Sequence, residues 1–317
     1  MLNIAALAKA MKSTTLDMIA LVLLISAFTM KCGSVPMHFW VPDSYTVAPA
    51  SITAMLVVAS QASLYALFRI CFSLYGNTSY VATSGAIMIL FGLLSMFIGV
   101  TMAIPQKDIK RLMSYHAISQ TGYMLLGVGA GLYLLGNPDF STHGMAAMEG
   151  GIFHIFNHAL YKGLLFLTAG AIFYKTKTRN LNEIRGLAHS MKFTTIFFLI
   201  GAFSIAGLPP FNGFASKLLI YESVYHVNPI LSIIAMLVSI LTLASFMKVF
   251  HSAFMGPAMK DVERGDVPKS MLFGMIVLTV GIILFSIIPG WVVGHIVHPA
   301  AQSLANQSAY IGAVMGD

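Results

Sequence analysis

The sequence has few charged residues and almost no cysteine. Only 9% of its 317 residues are Asp, Glu, Lys or Arg, whereas 57% are hydrophobic. Soluble domains carry about 25% charged residues, so this composition excludes a soluble globular protein and indicates a polytopic membrane protein. The two cysteines, Cys32 and Cys71, lie in or beside apolar segments. That placement excludes a disulfide framework and a metal site built from clustered thiolates.

The motifs of several enzyme classes are also missing. There is no glycine-rich phosphate loop, no Cys-x-x-Cys pair and no nucleophile elbow in a strand–turn–helix setting. His154 and His158 have the i, i+4 spacing of a zinc pair, but Ile155 stands where a metalloprotease carries its glutamate. We therefore expect no metal, no cofactor and no redox centre in this chain. We expect no nucleic-acid partner either, because the basic residues fall in loops between apolar segments.

The apolar segments predict an all-α bundle of about eight membrane spans. Each is long enough to cross a hydrocarbon core of about 30 Å at about 1.5 Å per residue. The segments lie at about residues 16–40, 49–72, 82–104, 114–136, 148–174, 193–224, 228–254 and 270–297.

The loop charges predict the orientation of the chain. With eight spans, only Lys9 and Lys12 lie in loops on one side of the membrane. The basic loop residues of the other side are Lys107, Lys110, Arg111, Lys175, Lys177, Arg179, Arg185, Lys192, Lys260, Arg264 and Lys269. Since cytoplasmic loops collect Lys and Arg, we expect both termini to lie on the outer side of the membrane.

Two predicted spans contain helix-breaking residues. These are Gly33 and Pro36 in the first span, and Gly207, Pro209 and Pro210 in the sixth. A proline removes a backbone donor and clashes with the preceding turn, so both helices should break near mid-membrane. Each break lies beside a lysine, Lys31 or Lys217, which favours a transport site over the alternative of a simple packing kink.

The fifth span carries three ionisable side chains on one helical face. His154, His158 and Lys162 are spaced i, i+4, i+8. Such residues cost roughly 2.5–3.5 kcal/mol each in lipid and tend to line a bundle interior or a water-filled path. Together with Lys31 and Lys217, we predict that they carry protons. The alternative is that the histidines are neutral helix–helix contacts and that Lys162 snorkels to the headgroups.

Two further residues are accessory candidates. His116 lies near the end of a predicted span, where an ordinary interfacial histidine is the favoured alternative. Lys248 is expected to anchor the topology, with a position on an exit path as the alternative. All carboxylates fall in loops or at span ends. Because an unpaired buried charge is costly, we expect the partner of Lys31 to lie outside this chain, or Lys31 to be often neutral.

Five stretches, in order along nearly the whole chain, carry a family resemblance: KCGSVPMHFWVPDSYTVAPASITAM, QKDIKRLMSYHAISQTGYM, GIFHIFNHALYKGLLFLTAGAIF, TRNLNEIRGLAHSM and AGLPPFNGFASK. They resemble the antiporter-like subunits of respiratory complex I, Mrp-type sodium/proton antiporters and membrane-bound hydrogenase-type complexes. The resemblance implies a fold of fourteen helices in two inverted five-helix repeats, of which this chain would supply helices seven to fourteen. It also implies a location in the cell (plasma) membrane.

The resemblance also assigns roles to residues. Lys31 matches the lysine of the first broken helix, which in the family pairs with a glutamate on an earlier helix. Lys217 matches the ionisable residue of the second broken helix. The histidines and lysine of the fifth span match the central polar axis. Gln61 stands where many relatives carry a lysine, and glutamine holds no proton. A complete proton path is therefore expected only through the second half.

We expect four segments. They are an amphipathic N-terminal segment (1–15), the end of the first repeat (16–76), a second five-helix repeat (77–258), and a cytoplasmic loop with the last span and tail (259–317).

The predicted function is proton conduction, or sodium/proton exchange, as a membrane subunit of an energy-converting redox-driven complex. Other membrane subunits would be its partners, including a chain that supplies the earlier helices or a glutamate near Lys31. The alternative is a structural scaffold unable to pump, supported by the absent first half and by Gln61. A stand-alone transporter of an organic solute is less favoured, because eight spans contain only one whole repeat.

Overall fold

The computed structural model describes residues 3–259 and 262–315, and their regular structure is helical apart from one bridge between Asp108 and Asn180. Lys260, one of the predicted loop cations, lies outside the described residues. The helices are α1 (Ile4–Ala10), α2 (Thr15–Cys32), α3 (Trp40–Val47), α4 (Ala50–Ser73), α5 (Val81–Ala103), α6 (Ile109–Leu134), α7 (His143–Thr176), α8 (Lys192–Ala206), α9 (Asn212–Val227), α10 (Pro229–Phe254), α11 (Lys269–Ile287), α12 (Pro289–Val292), α13 (His298–Ala305) and α14 (Gln307–Met315). The predicted all-α class is confirmed.

Six of these helices, α2, α4, α5, α7, α10 and α11, are long and apolar enough to cross a membrane. The 26-residue α6 is as long but more polar, and nearly all of it is buried. The sixth predicted span consists of two shorter helices, α8 and α9. This arrangement is that of a polytopic membrane bundle.

Helix α7 forms the axis of the bundle. Its 34 residues correspond to about 51 Å at about 1.5 Å per residue. It packs against α4, α6, α8, α9 and α11, so most of its side chains face protein and not lipid. A helix enclosed in this way can hold ionisable residues that lipid would exclude.

Helices α5 and α6 approach each other through glycine. Gly85, Gly92 and Gly99 recur every seven residues, on one face of α5. A Cβ atom at any of them would lie 2.4 to 2.8 Å from a backbone atom of α6. Because these positions have no side chain, the two backbones pack directly against each other, as is common for membrane helices.

Helix α2 ends at the first predicted break. Gly33 adopts φ +76°, and its N–H donates to the Met30 carbonyl over 3.2 Å. The N–H of Ser34 donates to the Thr29 carbonyl over 3.0 Å. These two bonds form a Schellman motif, which ends a helix on a left-handed residue. The first predicted break is confirmed.

Helix α8 ends in the same way at the second predicted break. Gly207 also adopts φ +76°, and its N–H donates to the Ser204 carbonyl over 3.1 Å. The N–H of Leu208 donates to the Phe203 carbonyl over 3.0 Å. Both interruptions are therefore Schellman ends followed by proline, and the second break is confirmed as well.

The last predicted span, 270–297, is wrong in its extent. Helix α11 ends at Ile287, and Ile288 leaves the helical region with φ −120° and ψ 44°. The next residue is Pro289, which has no N–H to donate and restricts the residue before it. A separate helical run then follows from α12 through a π-helical turn at 293–297 into α13.

We expect Gly207→Ala to lower the free energy of unfolding by about 1–2 kcal/mol, because a left-handed φ disfavours any residue with a Cβ. The new methyl group would also lie 2.8 Å from Cδ of Lys217. Thermal unfolding of the detergent-purified protein measures the loss of stability. Gly290→Ala is the control, since its Cβ would meet no heavy atom of the described residues within 4 Å. Equal losses in both variants would contradict the expectation.

Candidate functional site

Lys217 projects from α9 towards the end of α8 and is only 1% exposed. Its Nζ donates to the Ile205 carbonyl over 2.8 Å and to Oγ of Ser239, on α10, over 2.8 Å. The ring centroid of Tyr123, on α6, lies 4.5 Å from the same nitrogen. Helices α6, α9 and α10 and the end of α8 therefore surround the ammonium group.

The two prolines after α8 explain why the Ile205 and Ala206 carbonyls are free to accept hydrogen bonds from side chains. In a continuous helix the Ile205 and Ala206 carbonyls would accept from the N–H groups four residues later. Positions 209 and 210 are both proline and have no N–H. Lys217 donates to the first carbonyl instead, and Oγ of Ser239 donates to the second over 3.0 Å. The partial negative charge at the C-terminus of α8 also favours a cation there.

His154 connects α7 to two neighbouring helices and is fully buried. Its Nδ1 is 2.9 Å from Oγ of Ser216, on α9, and its Nε2 is 3.1 Å from Oε1 of Gln120, on α6. The hydroxyl of Tyr161 lies 3.1 Å from Nε2 as well. Both ring nitrogens of His154 therefore have a hydrogen-bond partner, and the tautomer decides which of them donates.

His158 and Lys162 continue the same face of α7, and both are fully buried. Nζ of Lys162 donates to the Met113 carbonyl of α6 over 2.6 Å. Neither ring nitrogen of His158 has a hydrogen-bond partner among the described residues. Its ring stands edge-on to Tyr161 with centroids 5.6 Å apart. The three ionisable side chains thus face the bundle interior, and Lys162 does not snorkel to a surface.

His116 is not the interfacial histidine that we expected. It is fully buried, and its Nε2 lies 2.5 Å from Oγ of Ser245, on α10. The prediction is wrong because α6 begins at Ile109, where Asp108 accepts hydrogen bonds from the first backbone N–H groups. The helix therefore starts before the apolar segment does, which places His116 two turns inside it.

Lys31 does not join the buried groups. Its side chain is exposed on the described chain, although Cys32 and the residues after it are buried. Within the described chain α2 packs mainly against α4, and the expected partner of Lys31 from outside this chain stays a prediction. The buried residues of α2, from Leu21 to Cys32, form a single stripe that excludes Lys31.

The other accessory candidates have different surroundings. Gln61 is buried on α4, where its Nε2 donates to Oγ of Ser60 over 3.3 Å. Its Oε1 has no partner within the described part of the chain. Lys248 has an exposed ammonium that donates to the Ile104 carbonyl over 2.8 Å and to the Gln106 carbonyl over 3.0 Å. These bonds cap the end of α5, which fits an anchoring residue.

Several polar residues of the site carry no charge, and the sequence patterns did not predict them. Gln120, Ser216 and Ser239 supply the hydrogen bonds of the two central basic groups, as described above. Two hydrogen bonds of 3.0 Å join Asn157 and Asn212. Nδ2 of Asn157 donates to the Asn212 carbonyl, and Nδ2 of Asn212 donates to Oδ1 of Asn157. They hold the start of α9 against α7. The sequence offered one signal for these residues: each is an uncharged polar residue within a predicted membrane span.

The loop between α7 and α8 is tied to the start of α6 on the side of the basic loops. Nε of Arg179 lies 3.2 Å from Oδ2 of Asp108, and the N–H of Leu181 donates to the Lys107 carbonyl over 2.8 Å. Hydrogen bonds from Thr178 and Asn180 lower the pKa of the Glu183 carboxyl in this loop. Glu183 therefore stays ionised and orders the turn.

Comparisons with known proteins show which proteins this chain is similar to. Residues 1–244 match the model of a transmembrane family described as NADH:quinone oxidoreductase/Mrp antiporter. The chain is 38% identical to one of the Na(+)/H(+) antiporter proteins of Alkalihalophilus pseudofirmus, over 79% of this chain and 48% of that protein. It is 29% identical to hydrogenase-4 component B of Escherichia coli, over 86% of this chain and 43% of that protein. The chain spans about half the length of the curated relatives it matches.

Two solved structures have the same fold. The Mrp complex from Dietzia sp. contains a chain with a TM-score of 0.86 at 24% identity, covering 98% of this chain and 64% of that one. Respiratory complex I from Thermus thermophilus contains one with a TM-score of 0.78 at 26% identity, covering 90% of this chain and 58% of that one.

We expect Ser239→Ala to destabilise the protein by about 1–3 kcal/mol, because it leaves the Ala206 carbonyl and one Lys217 donor without a partner in the interior. Ser286→Ala is the matched control, since its hydroxyl donates only to the Ile282 carbonyl of its own helix. That variant should stay within about 0.5 kcal/mol of the parent protein. Thermal unfolding in detergent compares the two. If the Ser239 variant is no less stable than the control, Ser239 does not support the lysine.

Proposed function

This chain belongs to the NADH:quinone oxidoreductase/Mrp antiporter transmembrane family, and on that premise we propose that it is an ion-translocating membrane subunit of a larger energy-converting complex. It conducts protons, or exchanges protons for sodium, through its second half. The observation that carries this proposal is the series of fully buried basic groups from Lys162 through His158 and His154 towards Lys217. A scaffold without transport has no need of such costly groups in its interior.

The proposed path runs along the interior face of α7. Lys217, at the broken helix, exchanges protons with one aqueous side. His154 and His158 pass them towards Lys162 through water or side-chain rotation. Like charges repel strongly in a water-poor interior, so protonation of one group disfavours protonation of the next, and this repulsion drives a proton onward.

The break between α8 and α9 is the proposed control point. The acceptors of Lys217 are a carbonyl at the end of α8 and a hydroxyl of α10. A charged ammonium holds both, whereas a neutral amine binds them more weakly. Loss of the proton would therefore loosen the contacts that join α8, α9 and α10.

Lys31 couples the chain to a neighbour in this proposal. Its side chain is exposed on the described chain, and a lysine facing lipid is costly. We place a carboxylate of a neighbouring membrane subunit, or of an earlier helix, beside it. Gln61 holds no proton, so the first half of the path ends there. Redox chemistry, where the parent complex has it, belongs to other subunits.

The proposed location is the cell membrane, with both termini outside. This orientation follows from the basic residues near the α5–α6 and α7–α8 connections, which include Lys107, Lys110 and Arg111 in the first and Lys175, Lys177 and Arg179 in the second. Such residues collect in cytoplasmic loops.

We expect Lys162→Gln and Lys217→Gln to reduce ion translocation by the assembled complex at least about tenfold, because glutamine cannot carry a proton. The measurement is proton uptake into proteoliposomes with a pH-sensitive dye. Lys248→Gln is the matched control, since this lysine lies outside the proposed path and should leave uptake nearly unchanged. Unchanged uptake in Lys162→Gln, with normal assembly, would refute the proposed role.

Gentle detergent extraction followed by mass spectrometry of the intact assembly tests the proposed partners. We expect other membrane subunits to co-purify. We also expect Lys31→Glu to weaken that association, because it places two carboxylates together. Lys192→Glu, an exposed lysine at the start of α8, is the control and should not weaken it. A chain that runs alone from its native membrane would overturn the proposal of a complex.

A further inference from the structure

A large groove lies at the end of the bundle that carries the basic loops. Its volume is about 870 Å³. Helix α7 forms its floor with Leu167, Gly170 and Phe173, and the first turns of α4 and α11 form its walls. Both of these helices pack on α7. The interior of the groove is therefore mainly apolar.

Three cations lie at this groove, and no acidic residue of the described chain lines it. They are Lys110, Lys177 and Arg179. Lys110 is only 3% exposed, and its ammonium donates to the Ala48 carbonyl. An ammonium has three hydrogens and a guanidinium has five. Each cation therefore keeps donors for a further partner beside those used within the protein.

Contacts within the protein hold these cations in place. Arg179 donates to the Thr46 carbonyl and pairs with Asp108 over 3.2 Å. Nζ of Lys177 lies 5.0 Å from the ring centroid of Tyr174. The N-terminus of α4 faces the same groove without a side-chain cap, and it adds partial positive charge. The groove thus keeps a net positive charge after the ion pair is counted.

We propose that this groove binds one anionic phospholipid, with its phosphate at the three cations and an acyl chain along the floor formed by α7. The three cations attract the negatively charged headgroup, and the apolar floor accommodates the acyl chain. A free phosphate would use only the cations. An apolar helix of a partner subunit would cover the floor and leave the buried Lys110 without an anion. The inference is independent of ion transport.

Native mass spectrometry of the purified full chain, with whatever subunits accompany it, tests the proposal. The protein is stripped of lipid and titrated with phosphatidylglycerol or with phosphatidylcholine. We expect one phosphatidylglycerol to be retained in preference to phosphatidylcholine. An interfacial cation contributes about fivefold to anionic-lipid affinity. Lys177→Gln should therefore weaken retention about fivefold, and Lys110→Gln by at least as much.

Lys175→Gln is the matched control. This lysine lies in the last turn of the same helix but does not line the groove, and its substitution should not change retention. Lys177 is exposed, so its variant keeps the test valid if Lys110→Gln fails to fold. Equal retention of the two lipids would overturn the proposal. So would an equal effect of Lys175→Gln and Lys177→Gln, or displacement of the lipid by inorganic phosphate at matched concentration.

Discussion

The need to satisfy backbone carbonyls inside a membrane shapes this protein more than any other constraint. Lipid offers no hydrogen bonds, so each carbonyl freed by a proline must find a donor within the protein. The end of α8 frees two in succession, and Lys217 and Ser239 supply the donors. The same requirement that allows the helix to break thus draws a basic side chain into the interior. The side chain that completes the hydrogen bonding of the broken helix is therefore also an ionisable group.

The two breaks are alike in backbone but differ in surroundings. Both end in a glycine at φ +76° with the same pair of hydrogen bonds. Lys217 follows its break and is enclosed by α6, α8 and α10, whereas Lys31 precedes its break and lies on an outer surface of the described chain. At the first break the N–H of Val35 donates to Oγ of Ser95 over 2.9 Å. A serine of a neighbouring helix therefore serves each break, in one case as acceptor and in the other as donor.

Much of the fold follows from local sequence. Apolar segments predicted the helices, and Gly33 and Gly207 with their prolines predicted the interruptions, because these depend on chain-local chemistry. The face of α7 that carries His154 and Lys162 was also predictable, since helical spacing decides it. The surroundings of Lys31 were not, because they depend on which helices stand beside α2, and its partner stays a prediction. His116 was misplaced because a helix cap, and not hydropathy, determines where α6 begins. Ser239 was missed since its partners are distant in sequence. The division into repeats stays a prediction.

The glycine contact between α5 and α6 has a mechanical consequence. Backbones that meet at three points two turns apart have little room to slide, because Gly85, Gly92 and Gly99 place no side chain between the two helices. We therefore expect α5 and α6 to move as one unit, with the surface of α6 that carries His116, Gln120 and Tyr123 held in place relative to α5. A rearrangement at Lys217 is then expected in α8, α9 and α10, the helices that carry this lysine and the acceptors of its ammonium.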